Sequence, residues 1–355
     1  MTNLKINSSL VVRAAVVVLL SLGAAGSLLA KDLVKFDGVT AQGGPTAQVF
    51  PIFIAQEMGY YAEEGLDVTL NYSKGSSDAA RQLAAGNADW GIFSSAATMI
   101  TVQRGFPLKA IMQIYYPDSF DIVVPQGSDI NTIADMKGQI IGVSDLAGGE
   151  VPMTRASIIE SGLSEGRDIR LVLAGEGDPT TVRSFEQGRI QAYAGSKRDL
   201  LLLPAQGIPT RSITPEAIAR FPGDAMVVRQ ETYDEETEKL TKFVRATLKG
   251  WAWGMANKQA TFDLLKTKYA EASLGDNPVA VEFWALVQTY YTAPDSVKLH
   301  GTFLPEAWKF YMSHLTIGEG EQRALVEPVD ISSILTDEIV LSAWKDLDIN
   351  AVIAE

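Results

Sequence analysis

Six carboxylates recur at or near the ends of this sequence's apolar, strand-like runs: Asp118, Asp121, Asp145, Glu150, Glu176 and Asp178. Any two within reach of one substrate can serve as general acid and base. Capping the exposed N–H groups of a helix start asks less of them and accounts for most. Hydroxyls recur at similar places, as Ser76, Ser94, Ser95, Ser119 and Ser196. None lies in a G-x-S-x-G turn, and a serine without a nearby base is first a hydrogen-bonding group. The two histidines, His300 and His314, fall in the C-terminal third, away from every strand-to-helix turn, which assigns them packing or surface roles. Gly43-Gly44 and Gly148-Gly149 sit in neither a G-x-G-x-x-G nor a P-loop pattern. The chain has no cysteine, which excludes thiolate metal sites, a cysteine nucleophile, disulfides and a lipid-modified N-terminal cysteine. The residue types favour binding over catalysis, with no catalytic residue, metal or cofactor expected.

The elements that must position these groups are clearest from Phe50 to Thr98. Ile54 to Met58 is helical and stops at Gly59. In Leu66-Asp67-Val68-Thr69-Leu70 apolar residues alternate with polar ones, the period of a strand. Gly75-Ser76-Ser77-Asp78 then opens a helix that closes at Gly86, and Trp90-Gly91-Ile92-Phe93 is a second strand leading through Ser94-Ser95 into another helix. Each polar turn lies where a strand ends and a helix begins, the edge at which parallel α/β sheets bind ligands. Leu33 to Val39 is an earlier strand, and Gly43-Gly44-Pro45-Thr46-Ala47-Gln48 the loop it feeds.

The pattern restarts after Asp121-Ile122-Val123-Val124-Pro125, with strands expected at Gln139 to Val143 and Ile169 to Ala174 and a helix from Pro152 to Ser161. Arg81 to Trp90 can be laid over Arg183 to Ala192: each is a helix end, a glycine and a strand start, followed by small polar residues. Two similarly built α/β lobes follow from that match. After the strand Ala225 to Val228 long helical patterns take over: Glu235 to Asn257, Gln259 to Ala270, Pro278 to Tyr291, Pro305 to Leu315, and a last run from Ile334 to Ile353. Their aromatic residues, Trp251, Trp253, Phe283, Trp284 and Trp308, are expected to bury against a sheet.

The N-terminus reads differently. Lys5 and Arg13 precede the apolar run Ala14 to Leu20, and small residues follow to Ala30. That is a secretory signal peptide, residues 1–30, cut after Gly26 or Ala30, with an apolar run short of the ~20 residues needed to span a bilayer. Its removal leaves 28 basic against 43 acidic residues, which argues against a nucleic-acid partner. The length suits two lobes of ordinary size.

Three stretches carry a resemblance: Ala55 to Val68 (AQEMGYYAEEGLDV), Leu83 to Gly91 (LAAGNADWG) and Ile133 to Val143 (IADMKGQIIGV). Together they resemble the periplasmic substrate-binding proteins of ABC importers for nitrate, sulfonates, taurine and thiamine-pyrimidine precursors. The resemblance implies an α/β chain of type II periplasmic-binding-protein fold, with two lobes joined by two crossings and extra C-terminal helices. Crossings are then expected near Phe120 to Val124 and Phe221 to Met226, with residues 31–119 and 225–355 forming lobe I and 120–224 lobe II. It implies a monomer in the periplasm that takes a small polar organic molecule, nitrogen- or sulfur-containing or a carboxylate, and hands it to an ABC permease in the cytoplasmic membrane. An enzyme of the same fold or a ligand-sensing module for a membrane receptor are the alternatives. The ligand-binding residues expected are Thr46, Gln48, Ser76, Ser94, Ser95, Tyr116, Ser119, Gly149, Glu150, Glu176, Ser196 and Arg198. Glu150 either faces inward and competes with an anion for the helix start or caps it from solvent; Arg198 either holds a carboxylate or is a surface charge. The cysteine-rich motif of the pyrimidine-synthesising relatives is absent, which speaks against their activity. Intact-mass measurement of the exported protein should find a chain that starts at residue 27 or 31.

Overall fold

The computed structural model describes residues 33–317 and 324–354; the expected signal segment lies outside them. The strands are β1 (Val34–Thr40), β2 (Leu66–Tyr72), β3 (Trp90–Ser94), β4 (Leu108–Gln113), β5 (Phe120–Pro125), β6 (Ile140–Val143), β7 (Arg170–Leu173), β8 (Ala192–Ser196), β9 (Thr210–Ser212) and β10 (Asp224–Arg229). Between them run helices α1 (Phe50–Glu57), α2 (Tyr60–Glu63), α3 (Ser76–Ala84), α4 (Ser95–Gln103), α5 (Glu150–Glu160), α6 (Pro179–Glu186) and α7 (Lys197–Ala205). The C-terminal part is helical: α8 (Gln230–Glu235), α9 (Thr237–Ala256), α10 (Lys258–Lys268), α11 (Ala280–Tyr290), α12 (Pro305–Met312), α13 (Ile331–Ile334), α14 (Glu338–Lys345) and α15 (Ile349–Ile353). The last two fall within the one helical run expected from Ile334 to Ile353. Asp348 instead opens α15 by accepting the N–H groups of Asn350 and Ala351 at 3.0 and 3.2 Å, which makes it a helix start and not a helix interior.

These ten strands form two five-stranded sheets, ordered β2-β1-β3-β10-β4 and β7-β6-β8-β5-β9, and a short antiparallel pair joins Thr316–Ile317 to Ala324–Leu325. In each five-stranded sheet, parallel strands are joined by helices and one antiparallel strand is inserted fourth. β10 runs against β3 and β4, and β5 runs against β8 and β9. That strand is the first that the chain forms on arriving from the other sheet. The matched stretches noted in the sequence occupy equivalent places, with Gly86 (φ 79°) between α3 and β3 and Gly188 (φ 65°) between α6 and β8. Residues 120–124 and 224–226, expected in the crossings, belong to β5 and β10. The chain crosses just before them, through residues 114–119 and 213–223. β-Branched and apolar Ile122, Val123, Val124, Val227 and Val228 are sheet formers and pair as such.

The crossings touch backbone to backbone. Gly223 donates its N–H to the carbonyl of Tyr115 at 3.2 Å, and a Cβ there would stand 2.6 Å from the carbonyl oxygen of Pro117. Only glycine permits that approach. The Gln113 side chain, 1% exposed, closes the junction. Its Nε2 donates to the carbonyls of Tyr115 and Asp224 at 2.8 and 3.1 Å, and its Oε1 accepts the indole N–H of Trp308 at 2.9 Å. One apolar core passes through this region, with Phe93 and Ala225 of the first sheet, Ile122 and Val143 of the second, and Trp308 and Tyr311 of α12. Tyr311 stacks on Phe221 of the second crossing at 3.7 Å between ring centroids.

Replacing Gln113 by Leu leaves the Trp308 indole N–H buried without an acceptor. Urea unfolding should show a loss of about 2 kcal/mol, the cost of one such orphan. In the double variant with Trp308→Phe the loss should be smaller than the sum of the two single losses; strict additivity would show that the two side chains are not coupled.

Candidate functional site

A cavity of about 1010 Å3 opens between the sheets and is lined from both. From the first sheet come the loop after β1 (Gln42, Gly43, Gly44, Thr46, Gln48), the β2–α3 turn (Ser73, Lys74, Ser76) and Asp224 at the start of β10. From the second come Ser119 and Phe120 ahead of β5, the β6–α5 turn (Ser144, Asp145, Gly149, Glu150), Glu176, and Ser196, Arg198 and Asp199 after β8. These are the ends of parallel strands and the starts of the antiparallel ones, so one edge of each sheet supplies the wall. The segment after α10 adds Glu271 and Leu274.

Thr46 starts a short 3-10 turn, accepting the N–H of Gln48 at 3.3 Å. The Gln48 carbonyl accepts the hydroxyls of Tyr115 and Tyr291 at 2.7 and 2.6 Å, which fixes the loop under the cavity. Ser76 Oγ accepts the N–H of Ser94 at 3.2 Å. Ser196 caps α7 by accepting the N–H of Asp199 at 3.2 Å. Arg198 lies over the Phe283 ring, 6.0 Å from its centroid, and donates to Asp199 at 3.3 Å, so its charge is held by α11 and α7 and not loose on the surface. Glu150 is 2% exposed; it faces inward and accepts the N–H groups of Ser144 and Asp145 at 2.9 and 3.3 Å. Burial pushes its carboxyl up, against those donors and the Ser144 hydroxyl.

Of the twelve residues expected at the site, nine line this cavity: Thr46, Gln48, Ser76, Ser119, Gly149, Glu150, Glu176, Ser196 and Arg198. Three are elsewhere. Ser94 caps α4 through the N–H of Ala97 at 3.2 Å. Ser95 donates to the carbonyl of Pro222 at 2.7 Å and ties down the second crossing. The Tyr116 hydroxyl accepts the N–H of Gly301 at 2.7 Å, so its ring is turned into the protein; the aromatic ring at the cavity is Phe120. Gln42, Asp199, Asp224 and Glu271 were not foreseen. Asp224 follows the Pro222-Gly223 break, a signal of a turn that fits a crossing as well as a cavity wall. Glu271 stands just past a helix end, where nothing in the sequence says which wall the chain returns to.

The wall is acidic. Asp145, Glu150, Glu176, Asp199, Asp224 and Glu271 face two cations, Lys74 and Arg198. Burial pushes Asp199 up to about 7, with Arg198 pulling the other way. It pushes Asp224 up to about 7 as well, opposed by a hydrogen bond from Gln42. Asp118, next to the lining Ser119, is pushed by burial up to about 8 against the Lys197 ammonium. His300 is buried away from the cavity, its ring stacked 3.9 Å from that of Trp251, and burial lowers it to about 3, so it stays neutral. Among the described residues no group of His, Cys, Asp and Glu has the arrangement of a metal site. No helix in that range is long and apolar enough to cross a membrane.

Residues 46–261 match the family model described as NMT1/THI5 like. The riboflavin-binding protein RibY of Chloroflexus aurantiacus is 26% identical over 235 residues, 65% of this chain and 66% of that protein. The 4-amino-5-hydroxymethyl-2-methylpyrimidine phosphate synthase of Schizosaccharomyces pombe is 30% identical over 92 residues, 26% of this chain and 27% of the synthase. The chain thus aligns with just under two thirds of the first relative and about a quarter of the second. Among solved structures, the periplasmic nitrate-binding protein NrtA of Synechocystis PCC 6803 superposes with a TM-score of 0.65 at 13% identity, over 91% of each chain. That is the periplasmic-binding-protein fold expected from the sequence.

A buried carboxyl raised from 3.8 to about 8 keeps a proton that the unfolded chain releases. Stability should therefore fall as pH rises from about 4 to about 8, because the folded state binds the extra proton in that window. Asp199 and Asp224 add to the fall up to about 7. Between pH 7 and 8 Asp118 dominates, and Asp118→Asn should flatten the curve of unfolding free energy there. An unchanged slope would show that Asp118 titrates normally.

Proposed function

This chain belongs to the NMT1/THI5-like family, and on that premise we propose that it is the extracytoplasmic solute-binding component of an ABC importer. It captures a small polar organic molecule between two lobes, 31–119 with 225–355 and 120–224, and delivers it to a permease. The observation that carries this reading is the cavity lined by turn residues of both sheets. A solute there is gripped from two sides, and its differential affinity for the closed form supplies the energy of closure.

The walls approach each other closely at the start of α5. A Cβ on Gly149 would lie 2.6 Å from Phe120 Cζ and 3.1 Å from Ser76 Oγ, so the start of α5 comes against the start of α3 across the gap. The backbone edges offer a solute N–H and C=O groups, and Phe120 offers a flat ring to stack on. Relatives bearing the names of riboflavin- and pyrimidine-handling proteins make nitrogen heterocycles the first solutes to test. Kinship with a synthase supports a catalytic alternative. Against it, no serine of the wall has a histidine beside it there, since both histidines lie outside the wall.

Riboflavin, aminopyrimidines, taurine and nitrate should be titrated calorimetrically into the purified protein, with mass spectrometry of recovered solute. A solute of the family's kind should bind and be recovered unchanged; recovery of a product would favour the enzyme. Gly149→Val, which drives methyl groups into Phe120 and Ser76, should weaken that binding about tenfold or more while the circular-dichroism spectrum stays native.

A further inference from the structure

The β6–α5 turn carries its own anion. Glu150 is the first residue of α5, and one of its oxygens, Oε1, collects the N–H of Ser144 at 2.9 Å, the N–H of Asp145 at 3.3 Å and the Ser144 hydroxyl. Three donors converging beside the positive end of an eleven-residue helix are what would hold a bound oxyanion. In this chain a buried carboxylate of the protein already occupies them.

The neighbouring helix starts are answered in the same way. Asp199 lies in the first turn of α7, 6% exposed, and Asp78 lies in the first turn of α3, where it accepts the N–H of Lys74 at 3.2 Å. The cations of the wall do not redress the balance. Arg198 is engaged by Asp199 and Phe283, and Lys74 stands alone against five further carboxylates.

We infer, resting on the solute-binding reading above, that Glu150 sets the charge class of the solute. By filling the donor nest of the β6–α5 turn it turns away oxyanions such as sulfonates and nitrate. What it leaves is a wall of acceptors suited to a neutral or cationic solute that presents N–H groups. Glu150 is then a specificity determinant: it discriminates by occupying a site, as well as by any contact it makes to the solute.

The test is a gain of function. Methanesulfonate is titrated into the wild-type full chain, E150Q and E150S, with thermal melting of each to confirm folding. E150S removes the resident oxygen and frees the donors; E150Q keeps the shape and an acceptor oxygen while removing the charge. The expected result is at least about tenfold tighter methanesulfonate binding by E150S than by wild type, the order of a charge effect at a helix start, with E150Q between them. If E150S does not fold, E150Q against wild type decides. Folded variants with no gain overturn the inference, as does wild type binding methanesulfonate as tightly as they do. Wild type titrated with riboflavin and aminopyrimidines tests the parent reading separately, because the methanesulfonate result does not require the natural solute.

Discussion

Two sheets built to one plan share a chain that must cross between them twice, and where the crossings meet, at residues 114–116 and 221–223, they are buried. Backbone N–H and C=O groups there therefore need partners inside the protein. The carboxamide of Gln113 supplies several at once, joining the Tyr115 and Asp224 carbonyls to the Trp308 indole. Gly223 lets the second crossing lie against the first without a side chain between. The cavity exists because this junction holds the two sheet edges facing each other. Ser95, expected at the ligand, serves this junction instead.

Around that junction the energetics divide by location. Behind it the core is continuous and apolar, and α12 is packed into it by the stack of Tyr311 on Phe221. In front, Glu150, Asp199 and Asp224 are drawn into burial, where holding an unpaired charge is costly. The chain meets that cost by hydrogen bonds from backbone N–H groups and by raised carboxyl pKa values at Asp199 and Asp224. A solute bearing N–H donors would satisfy the same groups.

The fold and the site were legible to different depths. Period-two alternation in Leu66 to Leu70, glycine stops at Gly59 and Gly86, and the repeat of Arg81 to Trp90 at Arg183 to Ala192 are local signals, and strands and helices stand where they point. Turn residues such as Thr46, Ser76, Ser119 and Ser196 were readable because a hydroxyl at a strand-to-helix turn is placed by the backbone. Tyr116 was misread for the opposite reason. Tyr115 and Tyr116 are adjacent and equivalent in sequence, and only the partner that each hydroxyl finds, Gln48 or Gly301, decides where the rings go.

The sequence by itself determined the element types, the doubled plan and the polar character of the turns, because these follow from residues within one or two helical turns of each other. Only the tertiary structure decided that Glu150 faces inward, that Asp224 and Glu271 join the wall, and that Ser95 serves the second crossing. Those outcomes rest on contacts between residues far apart in the chain. Ser95 meets Pro222 across 127 positions. Such a contact is fixed by which surfaces must be buried together, and no local pattern of side chains encodes it.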